Sequence, residues 1–522
     1  MIAVSDAWRS AHMGTLLPES YVELTYRVTD PGAHESAKES NNGSTYYSDH
    51  ESILDISDKS HPKYATLEQN MWSLDGSLSL LPNSSPYGDT GYVSEAAEPI
   101  VALSLPEVRS QPIPGITVTW SSAYGEYATR CRVTAYNNDR VVSSQEFNND
   151  SVESTFEMSI ADYNKVTVEI LEWVHPDHRA RIEKLYLGVV QTYTRRDLIS
   201  YKHSQTADLL SAELPKNSIN FSLDNSTGVW NPENPVGNVK YLADRQEITV
   251  RYGFKINGSV EWIKAGTFWI SEWETPSNGL EANFTARDLI EFMSDVYTGP
   301  RKGTLYEIAT AAITQAEIPA TADGSPRYYI SDDLKSYNTD FSENVEEYTI
   351  AVILQMCANA GCCVIRQDRN GILRIERMGK SGTRYAIGKH VSYSHPEYSI
   401  SKPLRKVIVN SDLGQASTSK NGEIVIIENP VITTDLVARR VADWATSVLK
   451  YRKNLQGYYR ADPRVDALDI IAVESKYGAN NAIAVTSIEY VYTGSFKGTY
   501  TGREVEFEPE YWFSGELRSG EV

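Results

Sequence analysis

One segment in the middle of the chain changes its hydrophobic period. The runs "EWIKAGTFWISEW" (261–273) and "LEANFT" (280–285) alternate apolar and polar residues, which is the period of a β-strand. The link "PSNG" (276–279) ends in Asn-Gly, a dipeptide that favours a tight hairpin because both residues accept positive φ. Beyond it the spacing becomes helical, and Asp288 with Glu291 three positions later is typical of a helix cap. The sequence therefore predicts a hairpin that leads directly into a capped helix.

The alternation also assigns side chains to the faces of this hairpin. Leu280, Ala282 and Phe284 are expected to point into the core, because polar residues separate them. In the preceding strand, Phe268 and Trp269 are expected on opposite faces.

Three helices are predicted further along the chain, within 303–318, 344–362 and 433–453. Gly361 is expected to end the second helix, and Thr434 or Asp435 to cap the third. The residues expected on the buried stripes are Leu305, Ile308, Ala309, Ala312 and Ile313 in the first helix, Val345, Tyr348, Val352 and Met356 in the second, and Leu436, Val437, Val441, Trp444 and Val448 in the third.

Strand-like runs dominate the remaining sequence, so we expect a mainly β fold with a small α+β domain. The block 64–195 consists of short β-branched and aromatic runs separated by turn residues, which is typical of a sandwich or jelly roll. The chain length of 522 residues is too great for one core. The expected order is β, a β insertion, β, α+β and β again.

The composition limits the classes of function. A net charge of -20 argues against nucleic-acid binding, which needs basic patches on the protein surface. The favoured interpretation of this acidity is that it keeps a large protein soluble. No run reaches the ~18 apolar residues of a membrane span. The first residues lack the layout of a secretory signal, so we expect assembly in a cytoplasm. The 33 tyrosines are typical of half-buried strands and of contact surfaces.

Several short motifs have both a chemical and a structural interpretation. The "HPDH" at 175–178 is interpreted as a solvated turn rather than a metal site, because a third ligand is missing. "GKSGTRY" (379–385) is interpreted as a hairpin turn, since the leading glycine of a phosphate loop is absent. The sequence contains no hydrolase or zinc-protease signature. We therefore expect a protein that is not an enzyme and has no catalytic residue, cofactor or metal. The cysteines expected to be buried structural thiols are Cys131, Cys357, Cys362 and Cys363.

Aromatic residues in the sandwich block have two interpretations. Tyr87, Tyr92 and Tyr124 lie in loop-like sequence and are the candidates for carbohydrate contact by ring stacking. Trp120 and Trp173 lie in alternating strands and are expected in the core. Packing is the favoured role for the group as a whole.

The order of these elements resembles a known family. The runs "INFSLDNSTGVWNPENP" (219–235), "RQEITVRYGF" (245–254) and "GTFWISEW" (266–273), followed by the "TARD" junction (285–288), are similar to the first barrel of phage tail and baseplate hub proteins. The segments "TLYEIATAAITQA", "AGCCVIRQDRNGILRIERM" and "PLRKVIVN" also resemble that family, and "DALDIIAVES" with "IEYVYTGSFKGTYTGRE" is similar to its second barrel.

The resemblance implies two β-barrels flanking the α+β unit, with the sandwich as an insertion. The expected domains are a first hub β-barrel from 1–63 and 196–296, an inserted jelly-roll-like β-sandwich from 64–195, a small α+β domain from 297–400, and a second β-barrel with one helix from 401–522.

The resemblance also implies a function. Such hubs form a homotrimeric ring that joins the tail tube or a distal tail protein to a tail spike or fibre, and DNA passes through it without specific binding. The chain would then be a virion protein of the tail tip or baseplate. The alternative is a distal tail or receptor-binding protein, a trimer or a hexamer, whose sandwich binds host surface carbohydrate. A third class, a polysaccharide hydrolase, has less support because the sequence shows no repeat of 20–50 residues.

Overall fold

A computed structural model gives the fold of this chain. The residues that it describes are 2–14, 16–29, 36–41, 65–66, 100–110, 112–120, 125–174, 181–182, 184–234, 246–276, 279–318, 325–378, 385–411, 413–478 and 480–506.

The fold is mainly β with a small helical part, as the sequence predicts. The described α-helices are α1 (Asp6–Met13), α2 (Leu305–Gln315), α3 (Ile350–Ala360) and α4 (Asp435–Leu449), and short 3₁₀ helices span Leu289–Met293 and Asp332–Ser336. None of these helices is long and apolar enough to cross a membrane.

The described strands, in chain order, are β1 (Ser20–Thr29), β2 (Lys38–Asn41), β3 (Ala65–Thr66), β4 (Ile100–Arg109), β5 (Ile113–Thr119), β6 (Ala128–Asn137), β7 (Arg140–Asn148), β8 (Glu153–Ile160), β9 (Tyr163–Trp173), β10 (Arg181–Ile182), β11 (Lys184–Tyr193), β12 (Leu198–Thr206), β13 (Lys216–Asp224), β14 (Glu247–Ile256), β15 (Ser259–Glu274), β16 (Glu281–Arg287), β17 (Lys302–Thr304), β18 (Tyr328–Ile330), β19 (Asn338–Asp340), β20 (Val364–Gln367), β21 (Leu373–Glu376), β22 (Ala386–Ile387), β23 (Glu397–Ile400), β24 (Leu404–Val409), β25 (Gly414–Ser417), β26 (Glu423–Ile427), β27 (Lys453–Arg460), β28 (Ile470–Glu474), β29 (Asn480–Tyr492) and β30 (Phe496–Glu504).

The chain divides into two compact units. The first unit comprises Met1–Thr25, Tyr193–Ala320 and Pro326–Val522, and the second comprises Tyr26–Thr192 and Thr321–Ser325.

One long sheet runs through the first unit. Its strands follow the order β23-β27-β30-β29-β12-β13-β16-β15-β14-β1, and β28 pairs with β29 on a side branch. The two strand groups expected as separate barrels are joined, because β12 pairs with β29 and Tyr201 lies opposite Tyr492. Among the described residues the strands form an open path and no closed barrel, and the two barrel domains stay a prediction. At 13 residues, β29 is long enough to pair with three other strands, and alternation in a sequence does not reveal partners.

The predicted hairpin and its cap are present in the first unit. β15 pairs antiparallel with β16, with Glu274 opposite Asn283. The Asp288 side chain accepts a hydrogen bond from the Ile290 amide at 3.1 Å, although the helix that follows is a short 3₁₀ turn. Gly279 has a φ of +67°, whereas Asn278 lies outside the described residues.

The faces of the hairpin agree with the alternation only in part. Ala282 and Phe284 are buried, but Leu280 is 57% exposed because it precedes the first paired residue of β16. Phe268 and Trp269 are both buried, which shows that both faces of β15 are covered at this point.

Helices α2, α3 and α4 share one hydrophobic core. The stripe predicted for α2 is buried in full, and Thr304 with Glu307 forms a capping box at its start. The stripe predicted for α3 is confirmed only in part: Val345, 90% exposed, precedes the helix that Thr349 caps, whereas Tyr348 and Met356 pack against the core. In α4, Val437 and Val441 are buried and Trp444 and Val448 pack against the core, but Leu436 is 75% exposed.

The contact between β25 and α4 requires glycine. Strand β25 begins at Gly414, where a Cβ would lie 2.4 Å from the backbone carbon of Ala438 in α4. No other residue permits the strand and the helix to approach this closely.

The second unit is a β-sandwich. One sheet has the order β2-β4-β9-β6-β7 and the other the order β11-β5-β8, and residues of both sheets form a common core. Trp120 and Trp173 lie in this core as predicted, with ring centroids 5.8 Å apart in an edge-to-face arrangement.

The four cysteines are buried, as predicted. Cys362 and Cys363 precede β20 rather than lying within it, and Cys362 has a φ of +54° where the chain leaves α3. Burial raises the pKa of each of the four thiols to about 12.

Candidate assembly surfaces and polar centre

The residues proposed for carbohydrate contact lie outside the described part of the chain. This holds for Tyr87, Tyr92 and Tyr124, and also for the "HPDH" at 175–178 and for residues 379–384. The possible sugar contact therefore stays a prediction. Among the described residues, no group of three His, Cys, Asp or Glu side chains is arranged to hold a metal ion.

Buried polar side chains gather at the middle of the first unit, and we call them the polar centre. Its members are Tyr201, His203, Gln205, Tyr252, Arg369, Asp466 and Tyr490. They come from β12, β14, β29, the β20–β21 turn and the segment between β27 and β28. The strands carry these residues on their inner faces, where an aliphatic residue is the usual occupant.

Arg369 connects three parts of the chain at the polar centre. Its Nε donates to both oxygens of Asp466, at 2.9 and 3.0 Å. Its Nη1 donates to the carbonyl of Lys264 at 3.0 Å, and its Nη2 donates to the carbonyl of Pro463 at 2.7 Å. The planar guanidinium thus satisfies several carbonyls and one carboxylate at once, which lysine could not do.

A histidine and two tyrosines continue this network. The Tyr252 hydroxyl lies 2.7 Å from His203 Nδ1 and 2.9 Å from the Tyr201 hydroxyl. Burial lowers the pKa of His203 to about 4 and raises the pKa of Tyr252 well above its ordinary value. Full burial and shared hydrogen bonds are what a structural network needs, so we assign the polar centre to stability.

The exposed surfaces are a separate set of features. β23 lies at one end of the long sheet, pairs with β27, and has all four of its residues exposed. Tyr398 is 46% and Ile400 67% exposed, and Tyr393 before β23 and Tyr458 in the neighbouring β27 are exposed as well. We call these four residues the tyrosine edge. A strand at a sheet edge that carries large exposed side chains is a ready surface for another chain.

Two further strands present apolar side chains. In the first unit, β26 exposes Ile424 and Ile426 at alternate positions, which therefore share a face. In the second unit, β7 lies at the end of its sheet and exposes Val141 and Val142.

The tyrosine edge was not predicted from the sequence. The signal that could have revealed it is the apolar alternation in "EYSI" (397–400), with a proline before the strand. Its exposure depends on β23 standing last in the sheet, and this position is a property of the tertiary structure.

The first unit therefore combines an open sheet that ends in exposed side chains with a sealed polar centre. No protein-family model matches the chain, and no curated protein is similar to it.

Several solved structures are similar to it in fold. A tail protein from Neisseria meningitidis has a TM-score of 0.42 and 11% identity, over 61% of this chain and 94% of that one. The 43 kDa tail protein of prophage MuSo2 from Shewanella oneidensis has a TM-score of 0.39 and 13% identity, over 60% and 94%. The prophage tail protein gp18 from Listeria monocytogenes has a TM-score of 0.37 and 10% identity, over 64% and 97%.

Proposed function

We propose that this chain is a structural hub subunit of a phage tail or baseplate. Copies of it form a ring that joins the tail tube to the tail tip or spike and lets DNA pass. The observation that carries this proposal is the tyrosine edge, because exposed aromatic and aliphatic side chains at a sheet end favour symmetric association. The motifs quoted above, from the "TARD" junction to the C-terminal strands, support the same function.

The subunit acts by shape and contact rather than by chemistry. The polar centre holds the long sheet rigid, and the ring needs this rigidity to keep its contacts in register. The net charge of -20 suits a ring through which DNA moves, since carboxylates repel phosphates. Low-salt gel-shift assays with double-stranded DNA should show no complex, and a retained complex would contradict this part of the proposal.

The number of chains in the ring is tested by light scattering. One chain has a mass of 58.4 kDa, so a trimer would have a mass of about 175 kDa. A hexamer would favour the distal tail alternative, and a monomer would favour a free-standing binding module.

Variants of the tyrosine edge test whether it forms the contact. Tyr398→Asp and Ile400→Asp place charges on β23 and should convert the oligomer into single chains. Tyr477→Asp is the matched control, because Tyr477 is 91% exposed and lies outside the tyrosine edge. An oligomer that survives both β23 changes would show that another surface forms the ring.

A further inference from the structure

A small, partly enclosed cavity lies within the first unit, between helix α1 and the loops that follow β22 and β27. Its volume is about 40 Å³. The polar side chains that line it are Arg9, His12, His390, Asp462 and Arg464. A polar cavity of this size is filled rather than empty, because it has room for more than one water-sized particle.

The lining carries more positive than negative groups. Asp462 is its carboxylate, and both of its oxygens are engaged, since Oδ1 accepts from Trp8 Nε1 at 3.0 Å and Oδ2 accepts from Arg464 Nε at 2.6 Å. Arg464 therefore balances the charge of Asp462. Arg9 adds a second guanidinium, whose ion-pair partner Asp6 lies 3.5 Å away and is 97% exposed.

Two lining side chains that are almost fully buried each carry a nitrogen atom with no hydrogen-bond partner among the described residues. These atoms are Nη1 of Arg464 and Nε2 of His12. An unpaired buried donor is costly, so an occupant of the cavity should accept from Arg464.

The other nitrogen of His12 fixes how that occupant is bound. His12 Nδ1 lies 2.9 Å from the carbonyl of Trp8, which accepts, so Nδ1 carries a hydrogen. In the neutral ring Nε2 is then an acceptor, and a water molecule can bridge it to Arg464. In the protonated ring Nε2 becomes a second donor, and two donors facing one cavity suit an anion.

We infer that this cavity binds a small monovalent anion of the size of chloride, held by Arg464 Nη1 and by a proton taken up from solvent on His12 Nε2. The anion and the proton bind together, which keeps the charge of the cavity balanced. Water occupies the cavity when His12 is neutral.

The surrounding groups set the pH range of this coupling. Burial lowers the pKa of His12 and Arg464 lowers it further, while Asp462, the Trp8 carbonyl and Glu261 of β15 act in the opposite direction. Arg9 and His390 also line the cavity. His12 is therefore neutral without the anion at neutral pH, and anion binding should strengthen as the pH falls.

Thermal unfolding in sodium chloride and in sodium gluconate of equal ionic strength tests the inference, because gluconate is too large for the cavity. Bound chloride stabilises the folded state by mass action. At pH about 6, chloride should raise the unfolding temperature by about 2 °C relative to gluconate, and at pH about 8 by clearly less.

Two variants and one control locate the effect. His12→Met and Arg464→Lys should abolish the difference between the two salts, and His395→Gln should retain it because His395 is exposed and outside the cavity. His12→Met decides the question if Arg464→Lys fails to fold. A chloride effect that persists in His12→Met would overturn the inference.

Anomalous diffraction from crystals soaked in bromide gives an independent readout. A bromide peak between Arg464 and His12 is expected at pH about 6. Equal unfolding temperatures in both salts at both pH values, with no bromide peak, would show that water alone fills the cavity.

Discussion

Arg369 and Asp466 are 97 residues apart in the chain and form an ion pair with an Nε–Oδ1 distance of 2.9 Å. The two side chains are 4% and 14% exposed. Burial alone would raise the pKa of Asp466, but the charge of Arg369 and the hydrogen bond from Gln205 outweigh burial and lower it. The pair ties the β20–β21 turn to the segment between β27 and β28.

Removing one member of this pair should be strongly destabilising. Arg369→Met leaves the Asp466 carboxylate buried without its cation, and we expect a loss of about 3–5 kcal/mol in the free energy of unfolding. Urea denaturation followed by tryptophan fluorescence measures it. Lys302→Met, which removes an ion pair whose side chains are 77% and 43% exposed, is the control and should have little effect on stability. Equal losses in the two variants would contradict the structural role of the polar centre.

His203 should make the first unit less stable at acidic pH. Its pKa is about 4 in the folded chain because of burial, against an ordinary value of 6.5. As the pH falls from 6.5 to 4, the unfolded chain binds a proton that the folded chain excludes. The folded state should therefore lose roughly 3 kcal/mol over this window, and be least affected above pH 6.5.

The variant His203→Gln isolates this contribution. As the pH decreases from about 8 to 4, the urea midpoint of this variant should fall less steeply than the midpoint of the parent chain. His395→Gln, at an exposed position, should leave the profile unchanged. An unchanged profile in His203→Gln would mean that His203 titrates normally.

Asp288 should act on stability in the opposite direction. Burial raises its pKa to about 7 from an ordinary 3.8, and its Oδ2 has no hydrogen-bond partner in the described structure. The folded chain therefore keeps a proton that the unfolded chain has released, so stability falls as the pH rises from about 4 to 7, by up to roughly 4 kcal/mol.

Asp288→Asn removes this titration and retains an oxygen that can accept from the Ile290 amide. Urea midpoints measure the stability of the variant relative to the parent chain. This relative stability should be higher at pH about 8 than at pH about 5. Asp288→Ala, which also loses the cap, should be about 1 kcal/mol less stable than Asp288→Asn at both pH values. If the difference in stability between Asp288→Asn and the parent chain were the same at both pH values, this result would contradict the raised pKa of Asp288.

The four thiols should be unreactive in the folded protein. All are buried with pKa values of about 12, so the thiolate fraction at neutral pH is lower than that of a free cysteine by about three orders of magnitude. Titration with a thiol-specific chromogenic reagent should count no rapidly reacting thiol in the native chain and 4 after denaturation. One thiol that reacts rapidly in the native state would identify a local opening at that cysteine.

Much of the local structure could be predicted from the sequence. The period-two runs predict β15 and β16, and the Asp288 cap and the buried stripe of α2 follow from short-range rules. The start of α3 could not be placed as well, because Val345 and Tyr348 fit the helical period although Thr349 begins the helix. Hydrophobic period identifies a face, whereas capping and packing together decide where a helix starts.

The mainly β class, the hairpin before Asp288, the burial of the cysteines and the core positions of Trp120 and Trp173 could all be predicted from the amino-acid sequence. These depend on side-chain type and spacing, which act over a few residues. Three relationships depend on the folded chain: β12 pairs with β29, Arg369 reaches Asp466, and β23 lies at the end of the sheet. Each of these relationships joins residues far apart in the chain, and hydrophobic alternation is equally compatible with many strand partners.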